Sequence, residues 1–254
     1  GTQAFPGPYY ANRGAWFNLQ KKPWDDVRLR RALHLALDRQ ATVDIATLGD
    51  ATVVGFLPPG PYAIPQEELL KLPGWRQPKE ADIAEAKRLL AEAGYAGYKG
   101  VVKARNWPHE EKTAVMISDA ASKIGIELKV VPLESASYYA ARNKGDFEVS
   151  FNSVSGALSE PDLIMPGYVT GGSQNWGYYS NPKVDELASK QLRTMDPGER
   201  ARLLLEFQKV LMQDIPVAPL YANIEYTVWW PQVKGFYGGT AYWLVSNKFQ
   251  DVWL

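Results

Sequence analysis

The chain has no cysteine and only two histidines among 254 residues. That excludes a disulfide framework, thiolate chemistry and the Cys/His spacings of structural zinc. His34 and His109 stand far apart, without a Ser–His–acid spacing, and read as structural or exposed side chains. A Walker-type phosphate loop is also missing. The paired acids Glu67-Glu68 and Glu110-Glu111 are adjacent, so on a helix they point in different directions. They read as solvated charge, not as an acid/base pair. No apolar run is long enough to span a bilayer, and no signal peptide opens the chain. The start, Gly1-Thr2-Gln3, reads as an interior piece or a cloning remnant. Basic and acidic residues balance at 28 each, so no net field favours nucleic acid or an anionic membrane. The chain shows no internal repeat and no low-complexity linker.

Aromatic side chains are abundant: nine Trp and fourteen Tyr. They offer apolar faces with a polar handle, and most belong in a core. Pro23 to Arg39, PWDDVRLRRALHLALDR, predicts a capped amphipathic helix. Asp25 is the expected cap, and Trp24 with Leu29 the hydrophobic staple. Leu29, Ala32, Leu33, Ala36 and Leu37 form the buried stripe, with Arg28, Arg30 and Arg31 on a solvated side. Tyr9 to Leu19 precedes it as a strand, and Ala41 to Leu48 follows as a short helix. Val53 to Pro65, rich in Pro and Gly, predicts an extended surface loop.

Asp82 to Ala93 has a capping-box spacing and ends at Gly94, which suits a left-handed cap. A βαβ-like unit follows: a strand at Val101-Val102, a helix through Ala114, Ile117 and Ala121, and a strand at Ile126, Leu128 and Val130. Ser135 to Lys144 predicts a helix, and Phe147 to Phe151 a strand. Alternation of this kind indicates α/β layers. Leu158 to Tyr179 lacks a period and predicts a long loop. Helices then start at Asn181-Pro182 and Asp196-Pro197, and two strands are expected at 216–220 and 224–230. Gly235 to Leu254 is an aromatic tail.

These segments, in this order, resemble the peptide/nickel/opine-type (family 5) extracytoplasmic solute-binding proteins of ABC importers. The carriers are the Pro23–Arg39 segment, the Gly/Pro loop, AKRLLAEAGY from Ala86, KIGIEL, EPDLIM, YYSNPKVDELASK, IPVAPLY and VKGF. The resemblance covers the C-terminal half of a family member. It implies a mixed sheet flanked by helices, the C-terminal lobe of a periplasmic-binding-protein-like fold (type II, cluster C). Residues 1–234 would be that lobe, and 235–254 a tail that returns to the missing N-terminal lobe. The tail aromatics Tyr237, Tyr242, Trp243 and Trp253 would then be partly exposed or packed differently.

The implied function is capture of a small molecule in the periplasm, or at another extracytoplasmic face, for delivery to ABC permease subunits. No cofactor, nucleic-acid partner, stable membrane insertion or enzymatic step is expected. The alternative is a metabolite-sensing domain of a transcription regulator, which a helix-turn-helix upstream would reveal. A hydrolase would need turnover of the ligand.

In peptide-binding relatives, Arg-Pro-Tyr stands where this chain has Arg105, Asn106 and Trp107, and its Arg pairs with a ligand carboxylate. This implies ligand contact for Arg105 and Trp107; the bland reading is an Arg paired with a local acid. The segment Val154, Ser155, Gly156, Ala157 resembles a turn that carries an Asp for a peptide's free ammonium. Here Ala157 replaces that Asp. An unpaired buried ammonium costs ~3–5 kcal/mol, which disfavours ordinary free-N-terminus peptides. A blocked, cyclic or opine-like compound, or a sugar conjugate, fits better. Asn175, Trp176 and Tyr178, in a Gly-rich loop, complete the candidate ligand-binding set, with loop packing as the bland reading.

Overall fold

The computed structural model describes residues 2–8, 11–155, 160–236 and 252–253. Its strands are β1 (Gln3–Pro8), β2 (Ala11–Phe17), β3 (Ala51–Val53), β4 (Lys99–Arg105), β5 (Glu127–Leu133), β6 (Val149–Ser155) and β7 (Val217–Trp229). Its helices are α1 (Val27–Ala36), α2 (Arg39–Ala46), α3 (Gln66–Leu69), α4 (Glu80–Ala93), α5 (Pro108–Lys123), α6 (Ser135–Asn143), α7 (Pro182–Leu192) and α8 (Pro197–Asp214). One mixed sheet runs β1-β7-β2-β6-β4-β5, with β3 also on β7. The pairs β4/β5 and β4/β6 are parallel, and those of β2, β3 and β1 are antiparallel. The expected α/β class with a mixed sheet and flanking helices is therefore present.

The opening segment corrects three expectations. Asp26, not Asp25, caps α1, accepting from the Arg28 amide at 2.8 Å. The helix stops at Ala36, because Asp38 turns extended and caps α2 through the Ala41 amide. And the basic side is not uniformly solvated. Arg30 is buried and donates to the carbonyls of Trp24, Asp25, Asp214 and Ile215. Arg39 is buried deeper, donating to Pro219 O at 2.7 Å and to the carbonyls of His34, Leu37 and Gly74. Burial pushes its guanidinium down to about 9. His34 is buried beside it, with Nδ1 3.0 Å from the guanidinium. Burial, and then the Arg39 charge, hold the imidazole well below its ordinary value. Gly74 has φ +92°, and a Cβ there would lie 2.4 Å from His34 Nε2, so glycine is required.

Asp82 lies inside α4 instead of capping it, fully buried, accepting from Gly74 N, Arg76 and Lys79. Gly94 does take the left-handed cap, φ 75°. The Gly/Pro segment is a surface loop only in its second half. Val54, Phe56 and Leu57 are buried, and Asn12 Nδ2 satisfies the Gly55 and Phe56 carbonyls at 2.8 Å each. A buried loop needs such a donor. The segment 160–179 is packed too: Ile164, Met165 and Tyr168 are core, on two short 3₁₀ turns. The two expected C-terminal strands are one, β7, whose partner changes along its length from β2 to β3 to β1. Tyr237, Tyr242 and Trp243 lie outside the described residues. Trp253 pairs with Lys234 and is 63% exposed.

Candidate functional site

Strands β4 and β6 run parallel, and β2 runs against β6, so the chain direction switches beside the carboxyl ends of β4 and β6. Such ends are where open α/β sheets place ligands. The pair Val102↔Val149 sets the register, which puts Arg105 level with Asn152, while Arg13 pairs with Ser153. The first turn of α5 adds His109 and Glu110, and α6 adds Tyr139 and Arg142.

Glu110 is buried and collects the positive groups. Arg105 Nε lies 3.1 and 3.0 Å from its two carboxylate oxygens, and a second guanidinium nitrogen also bonds it. Arg13 approaches the same carboxylate at 3.8 Å. Arg105 also donates to Tyr139 Oη at 2.7 Å. Partial burial works against the Arg105 charge, but the bonds and charge of Glu110 outweigh it and leave its pKa raised. For His109, burial and then the Arg13 charge lower the pKa, which favours a neutral ring.

The aromatic and guanidinium groups stack in alternation. Arg105 lies 3.9 Å from the Trp107 ring centroid and 5.4 Å from that of Tyr139. Arg142 lies 4.8 Å from Tyr139 and 3.9 Å from Trp176. The series is Trp107, Arg105, Tyr139, Arg142, Trp176, with Trp107 46% exposed and Tyr139 38%. Each cation–π step contributes ~0.5–1 kcal/mol at such exposure. Arg142 otherwise meets neutral oxygens, Asn143 Oδ1 at 3.1 Å and Asn152 Oδ1 at 3.5 Å. Partial burial lowers its pKa, with the Arg105 charge adding to the effect.

The loop carrying Trp176 is tied from beneath. Asn175 Nδ2 donates to Val169 O and Tyr179 O, and its Oδ1 accepts from the Tyr179 amide. Tyr179 Oη and Asn181 Nδ2 both donate to Asp214 Oδ2, at 2.6 and 2.7 Å. Arg30 holds the Asp214 carbonyl at 2.7 Å. Burial and the Asp214 carboxylate both push the Tyr179 hydroxyl pKa up.

Three candidate residues therefore meet in one array: Arg105, Trp107 and Trp176. Asn175 spends its hydrogen bonds inside its loop. Tyr178, at φ 58°, covers Gly145, and no ring–guanidinium contact joins it to the array among the described residues. Val154 is fully buried, beside Gly167 and Trp16. Ser155 pairs its backbone with Ala11; its side chain, Gly156 and Ala157 lie outside the described residues. Sequence reasoning missed Arg13, Glu110, Tyr139, Arg142 and Asn152, and misread Glu110 as solvated. The usable signals were spacings: Glu110 in the first helical turn after Arg105, and Tyr139 three residues before Arg142 on one helix. Among the described residues no cluster of three or more His, Cys, Asp or Glu could hold a metal, and no helix is long and apolar enough to cross a membrane.

Residues 1–176 match the family described as bacterial extracellular solute-binding proteins, family 5 Middle. The periplasmic oligopeptide-binding protein OppA of Escherichia coli K12 is 29% identical over 238 residues, covering 91% of this chain and 43% of that protein. The glutathione-binding protein GsiB of Salmonella choleraesuis is 30% identical over 228 residues, covering 84% of this chain and 42% of that protein. The structure of OppA from Burkholderia pseudomallei superposes with a TM-score of 0.83 at 22% identity, covering 99% of this chain and 50% of that one. This chain thus spans less than half the length of the curated relatives it matches. By their names, these relatives are binding proteins.

Proposed function

The chain belongs to the family 5 bacterial extracellular solute-binding proteins, and from that premise we propose that it supplies one lobe of an extracytoplasmic capture protein. Residues 1–234 are the lobe, and 235–254 the tail that reaches a partner lobe. The two lobes close over a small molecule and present it to an ABC permease, with no bond of the ligand made or broken. The carrying observation is the array of Trp107, Arg105, Tyr139, Arg142 and Trp176 at the strand ends. It offers aromatic faces and an excess of guanidinium over carboxylate, a surface for a ligand with apolar and acceptor groups. Peptides, opines and oligosaccharide-type compounds are the candidate classes, and Ala157 disfavours a free peptide ammonium.

A single lobe covers one side of a ligand, so affinity is weak without the other. The test is a thermal-shift and native mass spectrometry screen of the full-length parent against peptides, opines and oligosaccharides. Saturable stabilisation by one class is expected. A screen in which none binds removes the capture function, and stabilisation by ordinary dipeptides removes the reading of Ala157.

A further inference from the structure

A second recess lies between α7 and the segment 162–170, and none of its lining residues belongs to the aromatic–guanidinium array. Its volume is about 370 Å³. The segment divides its side chains between two sides. Ile164 and Tyr168 are fully buried in the core, and a Cβ on Gly167 would meet Val154 and Trp16. Met165 and Val169, four residues apart, line the recess instead. On α7 the lining positions are Asp185, Ala188, Ser189 and Leu192, a spacing that puts them on one helix face. Leu192 stays 60% exposed.

The walls are fixed before anything enters. Met165 O accepts from the Val169 amide at 3.1 Å, and Pro166 O from the Gln174 amide at 3.1 Å. The Thr170 amide donates to Asp185 Oδ1 at 2.8 Å and so ties one wall to the other. A pre-formed, mostly apolar concavity with a few placed polar groups is the form of a small-molecule site. Asp185 supplies the charge. Its second oxygen has no hydrogen bond, and no cation pairs with the carboxylate among the described residues. Lys183 and Lys190, on the same helix, are engaged by Glu186 and Glu206. Asp162, on the opposite wall, is already answered by Gln191 Nε2 and by Arg200 at 3.4 Å. The recess therefore combines an apolar floor with one carboxylate that lacks a counter-charge.

We propose that this recess is a second binding site, for a small organic cation. The apolar body lies on Met165, Val169, Ala188 and Leu192, and its ammonium donates to the open oxygen of Asp185. The occupant touches the segment that steadies the Trp176 loop, since Val169 O also accepts from Asn175 Nδ2 at 2.8 Å. The proposal does not depend on the capture reading above.

Three probes with one body separate charge from bulk: 4-phenylbutylammonium, 4-phenylbutanol and 4-phenylbutanoate. Each is titrated into the full-length parent carrying ¹³C-methyl methionine and followed by NMR. Met165 reports on the recess, while Met116 and Met212 lie outside its lining. The ammonium is expected to move the Met165 methyl saturably, with Met116 and Met212 unmoved. It should bind about fivefold tighter than the alcohol, the worth of one half-exposed ion pair, and the carboxylate should bind weakest. Asp185→Asn keeps an oxygen for the Thr170 amide and should bring ammonium and alcohol to within about twofold. Ser189→Trp alters an exposed wall position, covers the recess and should abolish the Met165 response to all three probes.

A Met165 methyl that no probe moves in the unaltered protein overturns the site, and needs no variant to fold. Equal affinity for ammonium and alcohol, or a preference that survives Asp185→Asn, overturns the cation class. A dimer in sedimentation that Ser189→Trp abolishes assigns the recess to a second copy of the chain and overturns the small-molecule reading. Failure of the capture screen leaves the Met165 readout untouched, so the two readings fall separately.

Discussion

Two pairs of arginines sit in this chain under similar sequence conditions, each beside aromatic residues and acids, and they do opposite things. Arg30 and Arg39 are buried and saturated almost entirely by backbone carbonyls. Arg30 joins the start of α1 to the end of α8; Arg39 joins the end of α1 to the 72–76 turn and to β7. Each carbonyl is a fixed oxygen that a planar fork can reach in several directions at once, which an ammonium does not match. Arg105 and Arg142 instead lie between rings near the surface, with a carboxylate for one and, among the described residues, none for the other. The position of an arginine therefore matters less than what its donors find. Backbone oxygens make Arg30 and Arg39 clamps, while Arg105 and Arg142 stack between rings.

The contrast can be broken most directly at Arg39. Arg39→Leu should cost at least ~3 kcal/mol in denaturant unfolding, because it strands carbonyls of Pro219 and Gly74 in the interior. Arg39→Lys should recover less than half of that loss. A cost below ~1 kcal/mol for the leucine variant would show the clamp to be a spectator.

The next effect is on pH dependence. The folded pKa of His34 lies below its unfolded value near 6.5. Below that unfolded value the unfolded chain binds a proton that the folded chain refuses. Stability is therefore full above ~6.5 and falls with acidification by up to ~1.4 kcal/mol per pH unit. His34→Gln, whose amide can both donate and accept, should flatten the profile between pH ~6.5 and ~5. An unchanged slope would place the titration elsewhere, with His109 the next group to test. The smallest effect is expected at Arg142. Arg142→Gln should change stability by less than ~1 kcal/mol, since it loses ring contacts, exposed bonds to Asn143 Oδ1 and a long one to Asn152 Oδ1. A larger loss would move Arg142 into the company of Arg30 and Arg39.

The order of strands and helices was legible because alternation and helical period report which way a side chain faces along an element. They do not report what lies beyond an element's end. Arg30 counts as an off-face residue of α1, and only the arrival of α8 buries it. Asp25 and Asp26 are equivalent caps on paper, and the structure uses the second. Strand β7 reads as two because its pattern changes at Tyr221 to Asn223, where its partner switches from β2 to β3. In the site, Arg105, Trp107 and Trp176 were legible from their segments. Tyr139 and Arg142 look like any polar helix face until Trp176 packs over the guanidinium. Asn175 shows the reverse error: a polar loop side chain can spend every hydrogen bond inward.

The link from Arg30 through Asp214 to Tyr179 and Asn175 has a kinetic side. The Tyr179 amide is buried on a side-chain oxygen, in a loop pinned to the end of α8. Its hydrogen should exchange with solvent on the slow timescale of the core, unlike hydrogens of an exposed loop. Trp176 is then held in place before anything binds, and no ordering entropy is withheld from the ligand at that ring. Arg30, which supports this loop through the Asp214 carbonyl, belongs to α1, far in sequence from the loop it steadies. Its loss would be felt as a floppier free state, with faster amide exchange at Tyr179 and a looser grip by Trp176.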